Sequence, residues 1–232
     1  MTAELAGLPL LFHPGDRFQY GMSTDVLGRV VEVASGVTLD RFIEDHICRP
    51  LGMNDTFFKV PTDKLPRLVA AYVPEQPTGI QRLEPGTVLN YSGTPLSSDY
   101  PTADTHRYFS GGGGLCSTAA DYFRFCQMLL NGGELNGARL LRAETVEMMT
   151  VNQIGQLAEA FGLGFGIMPD LKEIHKQLRG SYSWGGFWST SFRVVPPGDW
   201  ILITMSQLAW DDNGTPAWFA EYSRLAAEAI EK

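Results

Sequence analysis

The sequence predicts an α+β fold, because helical and strand-like patterns occupy different parts of the chain. Apolar residues recur at helical spacing over 22–35, 38–47 and 117–130. From Phe161 onward, short apolar or alternating runs follow one another and are separated by turn residues. An amphipathic segment over 216–232 closes the chain. Helices, then strands, then a terminal helix are typical of an antiparallel sheet flanked by helices.

The first long helix is expected directly after Tyr20. Its apolar residues recur at helical spacing on one side of the helix: Val26, Leu27, Val30, Val33 and Ala34. Gly36 is a suitable residue for its end. A second helix is expected over 38–47, with Thr38 as N-cap and Pro50 ending it.

The middle of the chain lacks a clear period. Residues 60–110 are rich in Pro, Gly, Ser and Thr, and we expect a long, partly irregular excursion with short strands near 68–73 and 81–83. Four consecutive glycines, 111–114, then lead into a helix that begins near Ser117. A short helix over 143–150 follows.

The strand-like runs should pair as an antiparallel meander. They cover four ranges: 162–168, 180–185, 187–195 and 200–207. The change of pattern predicts two regions, a helical and loop region over 1–160 and a region of strands and terminal helix over 161–232.

Composition restricts the classes of function. The chain has 232 residues, 44% apolar and 19% charged, which is typical of a soluble globular protein. Its net charge of −8 and scattered basic residues argue against binding to nucleic acid. No apolar run is long enough to cross a membrane. No signal peptide is visible at the start, so we expect a cytoplasmic protein unless a leader lies upstream.

No metal or cofactor is expected. The three cysteines, Cys48, Cys116 and Cys126, form neither a disulfide framework nor a Cys-x-x-Cys pair. The four histidines lie far apart in the sequence: His13, His46, His106 and His175.

Tyr20 is the first candidate for chemistry. Taken alone, it is more simply a boundary tyrosine whose hydroxyl finds a convenient partner. The functional alternative is a proton shuttle. A phenol accepts a proton from a serine hydroxyl only when a cation stabilises its anion, because its ordinary pKa is ~10. Arg17 and Arg29 are the nearest basic residues in sequence.

The second candidate is the run Trp184-Gly185-Gly186-Phe187. Two glycines in a strand mark either a bulge or a place where another backbone or a substrate approaches closely. In the second case, the Phe187 amide N–H is suited to stabilise a developing oxyanion. Other motifs are weaker: the glycines 111–114 lack the Lys of a phosphate loop, and Gly-x-Ser-x-Gly is absent.

Five motifs occur together in one order, and they carry a family resemblance. They are Pro-Gly-x-x-Phe-x-Tyr (14–20), Asp-Val-Leu-Gly (25–28), Pro-Leu-Gly-Met-Asn-Asp-Thr (50–56), the glycine run with its helix start (112–121), and Trp-Gly-Gly (184–186). The chain resembles the class C β-lactamase-like serine hydrolases, in particular the family VIII carboxylesterases. This resemblance implies a β-lactamase/transpeptidase-like fold.

The resemblance also implies roles for individual residues. Tyr20 matches the catalytic tyrosine. Trp184, Gly185 and Gly186 match the substrate-binding Lys-Thr-Gly triplet of β-lactamases, and loss of its lysine favours neutral esters over carboxylated lactams. Phe187 matches the strand residue whose N–H contributes to the oxyanion hole.

The nucleophile of the family is missing from the sequence. Its serine lies in a Ser-x-x-Lys motif upstream of the tyrosine, and no such motif occurs here. The nearest approach, Thr56-Phe57-Phe58-Lys59, lies downstream of Tyr20. We therefore interpret the chain as a C-terminal portion, completed by an upstream segment or another polypeptide, or as a truncated product without activity. Exposed apolar surface would then favour a complementing N-terminal chain or a homodimer.

The sequence thus predicts a carboxylesterase that acts on a small-molecule ester through an acyl-serine, and that is inactive as this chain alone. An acyltransferase and a β-lactamase of the same superfamily are alternatives. A non-catalytic binding domain is a further alternative, which the absent nucleophile supports.

Overall fold

The computed structural model describes residues 2–75, 79–91, 94–104, 108–168, 178–209 and 217–230. Its α-helices are α1 (Thr2–Ala6), α2 (Ser23–Ser35), α3 (Leu39–Ile43), α4 (Arg49–Leu51), α5 (Ala119–Leu130), α6 (Ala143–Met149) and α7 (Ala217–Ile230). Its strands are β1 (Tyr72–Glu75), β2 (Gly79–Arg82), β3 (Val88–Tyr91), β4 (Thr94–Ser97), β5 (Glu134–Leu135), β6 (Ala138–Arg139), β7 (Gly166–Ile167), β8 (Tyr182–Gly185), β9 (Ser191–Val195) and β10 (Trp200–Thr204). The α+β prediction is confirmed. Pro216, Glu231 and Lys232, which were expected in the last helix, lie outside the described residues, as do His106 and His175.

The main sheet is the expected antiparallel meander. Its strand order is β10-β9-β8-β7, and Tyr182 of β8 pairs with Val194 of β9. The strand predicted over 187–195 was wrong at its start. The residues after Gly186 form a tight turn, in which the Gly186 N–H donates to the Thr190 carbonyl at 2.8 Å. Phe187 therefore lies in the turn, and β9 begins only at Ser191.

In the described part of the chain, three small hairpins lie outside this sheet. They are β1-β2, β3-β4 and β5-β6, each antiparallel. The first corresponds to the strands expected near 68–73 and 81–83, shifted to 72–75 and 79–82. The β3-β4 hairpin was not predicted, because Pro95 within β4 argues against a strand on sequence grounds.

The core forms where α5 packs against β9 and β10. It contains a cluster of buried apolar side chains: Cys48, Leu51, Met53, Cys126, Met128, Leu129, Val146, Phe165, Tyr182, Phe192 and Val194. Helix α5 thus buries its apolar face against the sheet, as its sequence pattern predicts.

A buried carboxylate, Asp121, fixes the start of α5 and the segment before it. It accepts hydrogen bonds from the Asp55 N–H at 2.6 Å and the Thr56 hydroxyl at 2.9 Å. Thr118 caps the helix by accepting the Asp121 N–H. Asp55 in turn pairs with Lys64 and Arg67, whose hydrogen bonds lower its pKa to about 2. The motif at 50–56 therefore has a structural role.

The second predicted helix differs from expectation. Helix α3 ends at Ile43 and continues as a π-helical turn, Glu44–Cys48, into α4. Pro50 lies inside α4 and does not end the helix before it. The reason is that Pro50 occupies the first turn of α4, where a missing N–H is tolerated.

Helix α2 forms as predicted, and its apolar side is exposed, with Val26, Leu27, Val30 and Val33 all open to solvent. Its buried residues are Asp25 and Gly28. The reason is that the glycine run 111–114 covers the other side of this helix. Among the described residues, no helix combines the length and apolar character needed to cross a membrane.

Candidate active site

Tyr20 lies in the connection that leads into α2, and its side chain is about half exposed, at 52%. Its ring packs against that of Trp184, with centroids 5.3 Å apart. Within the described part of the chain, no hydrogen bond or ion pair reaches its hydroxyl. The oxygen is therefore open to a reactant, and no described cation lies in contact with it.

Strand β8 places Trp184 opposite Tyr20. Trp184 pairs with Phe192 of β9, which fixes its position in the sheet. The ring of Phe161 meets Trp184 edge-on at 5.1 Å, and Phe18 packs on Phe161 at the same distance. These four side chains, Phe18, Tyr20, Phe161 and Trp184, form what we call the aromatic cluster.

Phe161 is the member that sequence reasoning missed. The loop before it is organised by Asn152, whose side-chain oxygen accepts the N–H groups of Ile154 and Phe161 at 3.1 and 3.3 Å. The Phe161 carbonyl accepts the Gln153 N–H at 2.8 Å. No local pattern signals this contact, because its partners lie on separate elements.

The glycines after Trp184 have a structural explanation. Gly185 pairs with Ser191 in the sheet. A Cβ on Gly186 would lie 2.5 Å from the Thr190 hydroxyl oxygen, so the glycine lets the Thr190 side chain approach closely in this turn. Phe187 follows within this turn and its ring packs on Trp188 at 5.0 Å. That Gly185 and Gly186 contact substrate, and that the Phe187 amide stabilises an oxyanion, stay predictions.

The glycine run 111–114 contacts the start of α2. A Cβ on Gly111 would lie 2.3 Å from the Thr24 carbonyl oxygen, and one on Gly112 would lie 2.6 Å from an Asp25 carboxylate oxygen. The Ser110 hydroxyl donates to Asp25 at 2.6 Å. Asp25 is thus a buried structural acceptor, and the run is a close-packed turn rather than a phosphate loop.

Four other side chains that could act in catalysis, Thr56, Lys59, Cys48 and Cys126, are engaged elsewhere or protonated. The Thr56 hydroxyl is buried and bonded to Asp121, while Lys59 pairs with Asp104. Burial raises the pKa of the Cys48 thiol to about 11 and that of Cys126 to about 12. Both thiols therefore stay protonated near neutral pH, and a protonated thiol is a poor nucleophile.

A cleft of about 260 Å³ lies beside α3, away from the aromatic cluster. Its walls include Cys48, Thr56, Phe58, Lys59, Asp104 and Phe109. We place the candidate site at Tyr20, because two of the motifs singled out in the sequence meet there through the contact between Tyr20 and Trp184. Among the described residues, no group of three His, Cys, Asp or Glu side chains is arranged to hold a metal ion.

Known proteins are similar to this chain in sequence and in fold. Protein Rv1367c of Mycobacterium tuberculosis is 31% identical over 223 residues, covering 88% of this chain and 52% of that protein. Esterase EstB of Burkholderia gladioli is 29% identical over 234 residues, covering 94% and 56%. The chain thus spans about half the length of the curated relatives it matches.

A solved structure shows the fold. EstCE1, described as a hydrolase with promiscuous acyltransferase activity, superposes with a TM-score of 0.79 at 24% identity, covering 98% of this chain and 60% of that one. The β-lactamase/transpeptidase-like fold is therefore confirmed. The Beta-lactamase family matches residues 1–220. This chain belongs to the Beta-lactamase family.

Proposed function

We propose that this chain forms one wall of the active site of a family VIII-type carboxylesterase that hydrolyses neutral small-molecule esters. The contact between Tyr20 and Trp184 carries the proposal, because it joins two motifs from distant parts of the sequence at one exposed surface. The similarity to an esterase over nearly the whole chain supports it.

The proposed reaction is acyl transfer through a serine. The serine oxygen attacks the ester carbonyl carbon while its proton passes to the Tyr20 phenolate, an anion that the lysine of the Ser-x-x-Lys motif would stabilise. The carbon–oxygen ester bond then breaks, and Tyr20 gives the proton to the leaving alcohol, becoming a phenolate again. Water then attacks the acyl-serine and gives a proton to the phenolate, and Tyr20 passes that proton to the serine oxygen as the acid leaves. In this scheme the Phe187 N–H donates to the oxyanion of each tetrahedral intermediate.

Trp184 supports the choice of a neutral substrate. It stands where β-lactamases have a lysine, and its neighbours Phe18 and Phe161 add apolar rather than charged surface. The aromatic cluster therefore offers contact to an apolar group and no ion pair to a carboxylate. A β-lactam would lose that ion pair, whereas a neutral ester does not need it.

The nucleophile is supplied by a complementing segment, which we define as the Ser-x-x-Lys-bearing portion of an esterase of this family. The chain alone should not hydrolyse p-nitrophenyl acetate above background. A fluorophosphonate probe should label no serine in it. Stoichiometric labelling, for example at Ser23, Ser110 or Ser183, would show instead that the chain has its own nucleophile.

The decisive experiment restores the missing part. We would co-express this chain with the portion of the Burkholderia esterase that it does not match, and assay the purified complex. Tyr20→Phe should lower kcat by about two orders of magnitude or more, the scale of a lost proton-transfer group. Tyr222→Phe, a similarly exposed tyrosine on α7, is the matched control and should retain full activity.

Each outcome discriminates between functions. Full activity of the Tyr20→Phe complex would remove Tyr20 from the mechanism. A complex that forms but hydrolyses no ester would support the non-catalytic binding domain. Product analysis with a second alcohol present separates hydrolysis from acyl transfer to that alcohol.

A further inference from the structure

The cleft beside α3 is distinct from the aromatic cluster, since no member of that cluster lines it. Its walls are α3 with the turn that follows it, the segment 56–59, and the segment 109–115 together with Asp104. Backbone hydrogen bonds join two of these walls. Phe57 and Cys116 each donate an N–H to the other's carbonyl, at 2.9 and 2.8 Å. The main chain therefore holds the cleft in shape, as is usual for the binding sites of small molecules.

Much of the cleft wall is apolar and aromatic. The buried ring of Phe58 meets that of Phe109 edge-on, with centroids 5.2 Å apart. Ile43, Phe57 and Leu115 add further apolar surface. The volume of about 260 Å³ exceeds the ~150 Å³ that holds one benzene molecule in a protein interior. The cleft is therefore large enough for one aromatic ring with a short side chain.

The charged residues of the cleft differ in their partners. Lys59 pairs with Asp104 at 3.1 Å, and two arginines of the adjacent helical stretch pair with Glu44 at 3.0 and 2.9 Å. Asp40 has no such partner in the described part of the chain. Its Oδ1 atom is buried, and no described donor reaches it. Asp40 thus gives the cleft a negative charge that the described residues leave uncompensated.

This uncompensated charge selects the kind of ligand. A carboxylate that is partly withdrawn from water without a donor is unfavourable until a cation compensates it. The faces of the aromatic rings attract cations as well. A neutral ligand would leave Asp40 unpaired, and an anion would be repelled by it.

We propose that this cleft binds a small organic ammonium compound. Its hydrocarbon body, an aromatic ring or a branched chain, contacts Phe58 and Phe109, and its charged nitrogen pairs with Asp40. The site is separate from the one at Tyr20, and the proposal does not depend on ester hydrolysis.

The test compares three probes that share a phenyl ring on a short chain and differ in charge. Protonated phenethylamine carries a positive charge, phenethyl alcohol is neutral and phenylacetate is negative. Each is titrated into the purified chain at neutral pH, and binding is measured by calorimetry. Phenethylamine should bind at least about tenfold more tightly than phenethyl alcohol, the effect of one added ion pair. Phenylacetate should show no saturable binding.

Substitutions then locate the site. Asp40→Asn should weaken phenethylamine binding by about tenfold and leave phenethyl alcohol binding nearly unchanged. Asp199→Asn is the matched control, because it removes the same charge from the turn between β9 and β10, outside the cleft. It should leave both affinities unchanged. Leu115→Lys places a cation on the wall of the cleft and should also weaken phenethylamine binding. Leu115 is 43% exposed, so this change should not disturb folding.

Three results would overturn the proposal. The first is a folded wild-type chain that shows no saturable binding of phenethylamine. The second is equal affinity for phenethylamine and phenethyl alcohol. The third is an unchanged phenethylamine affinity in the Asp40→Asn chain, with folding checked by circular dichroism. If Asp40→Asn does not fold, the Leu115→Lys chain decides in its place, and unchanged affinity there has the same meaning.

Discussion

Helices α5 and α2 have similar lengths and similar amphipathic sequences, yet they meet opposite environments. Helix α5 packs its apolar face on the sheet, where Cys126, Met128 and Leu129 are almost fully buried. Helix α2 packs its polar and glycine side on a tight turn and leaves its valines in water. The comparison teaches that a row of apolar residues on a helix identifies the face that packs against a partner, but does not identify that partner.

The largest expected effect tests the packing of the two apolar faces. Leu129→Ala in α5 should lower the free energy of unfolding by about 2–5 kcal/mol, because it removes buried contacts and leaves a cavity. Val30→Ala in α2 should change it by no more than ~0.5 kcal/mol, because the side chain is exposed. Urea unfolding followed by circular dichroism measures both. Equal losses would mean that the exposed valines of α2 are covered within this chain.

The next comparison concerns the buried carboxylates of the two helices. Asp121→Ala should lower the free energy of unfolding by about 2–3 kcal/mol, because the Asp55 N–H and the Thr56 hydroxyl both lose a charged acceptor. Asp25→Ala should lower the free energy of unfolding by less, about 1 kcal/mol, because only the Ser110 hydroxyl is known to lose its acceptor. The midpoints of urea unfolding give the order. A larger loss of stability for Asp25→Ala than for Asp121→Ala would reverse our ranking of the two carboxylates.

A third prediction concerns the turn that supports α2. Gly111→Ala should destabilise by about 1–3 kcal/mol, because its Cβ would meet the Thr24 carbonyl at 2.3 Å and the backbone must shift. Gly113→Ala is the control, since no atom lies within 4 Å of its added Cβ. Thermal unfolding of both variants checks this. If Gly111→Ala were as stable as Gly113→Ala, the close contact with α2 would be relaxed in solution.

The smallest expected effect is a pH dependence of stability that comes from Asp55, which lies between α4 and α5. In the folded chain, Lys64 and Arg67 lower the Asp55 pKa from 3.8 to about 2. The unfolded chain therefore binds this proton more readily, so the contribution to stability is complete above pH ~4 and is lost as pH falls toward 2. It should stay below about 1 kcal/mol, because Arg67 is largely exposed.

Unfolding in urea between pH 2 and 5 measures this contribution. Asp55→Asn should remove the corresponding part of the pH slope, while leaving the backbone N–H of residue 55 bonded to Asp121. Parallel pH profiles for wild type and Asp55→Asn would show that the ion pairs add nothing to stability.

Much of the fold followed from local patterns. The helix expected to begin near Ser117, the helix that begins at Ala143 and the order of the meander were predicted to within two residues, since capping residues and strand alternation act over a few residues. The start of β9 was misplaced, because Gly186 and Phe187 belong to a turn whose hydrogen bond to Thr190 is not visible as alternation. Pro50 was misread as a helix end, because it lies in the first turn of α4, where its missing N–H is tolerated.

The same distinction between local patterns and tertiary contacts applies to the candidate site. Its motifs, with Tyr20 and Trp184, are properties of the sequence by itself, as are the absence of Ser-x-x-Lys and the identity of every apolar position on α2. Tertiary structure alone decided that Phe161 joins Tyr20 and Trp184, and that α2 turns its valines outward. The physical reason is that periodicity records which side chains avoid water, whereas the partner that removes the water comes from distant residues or another polypeptide.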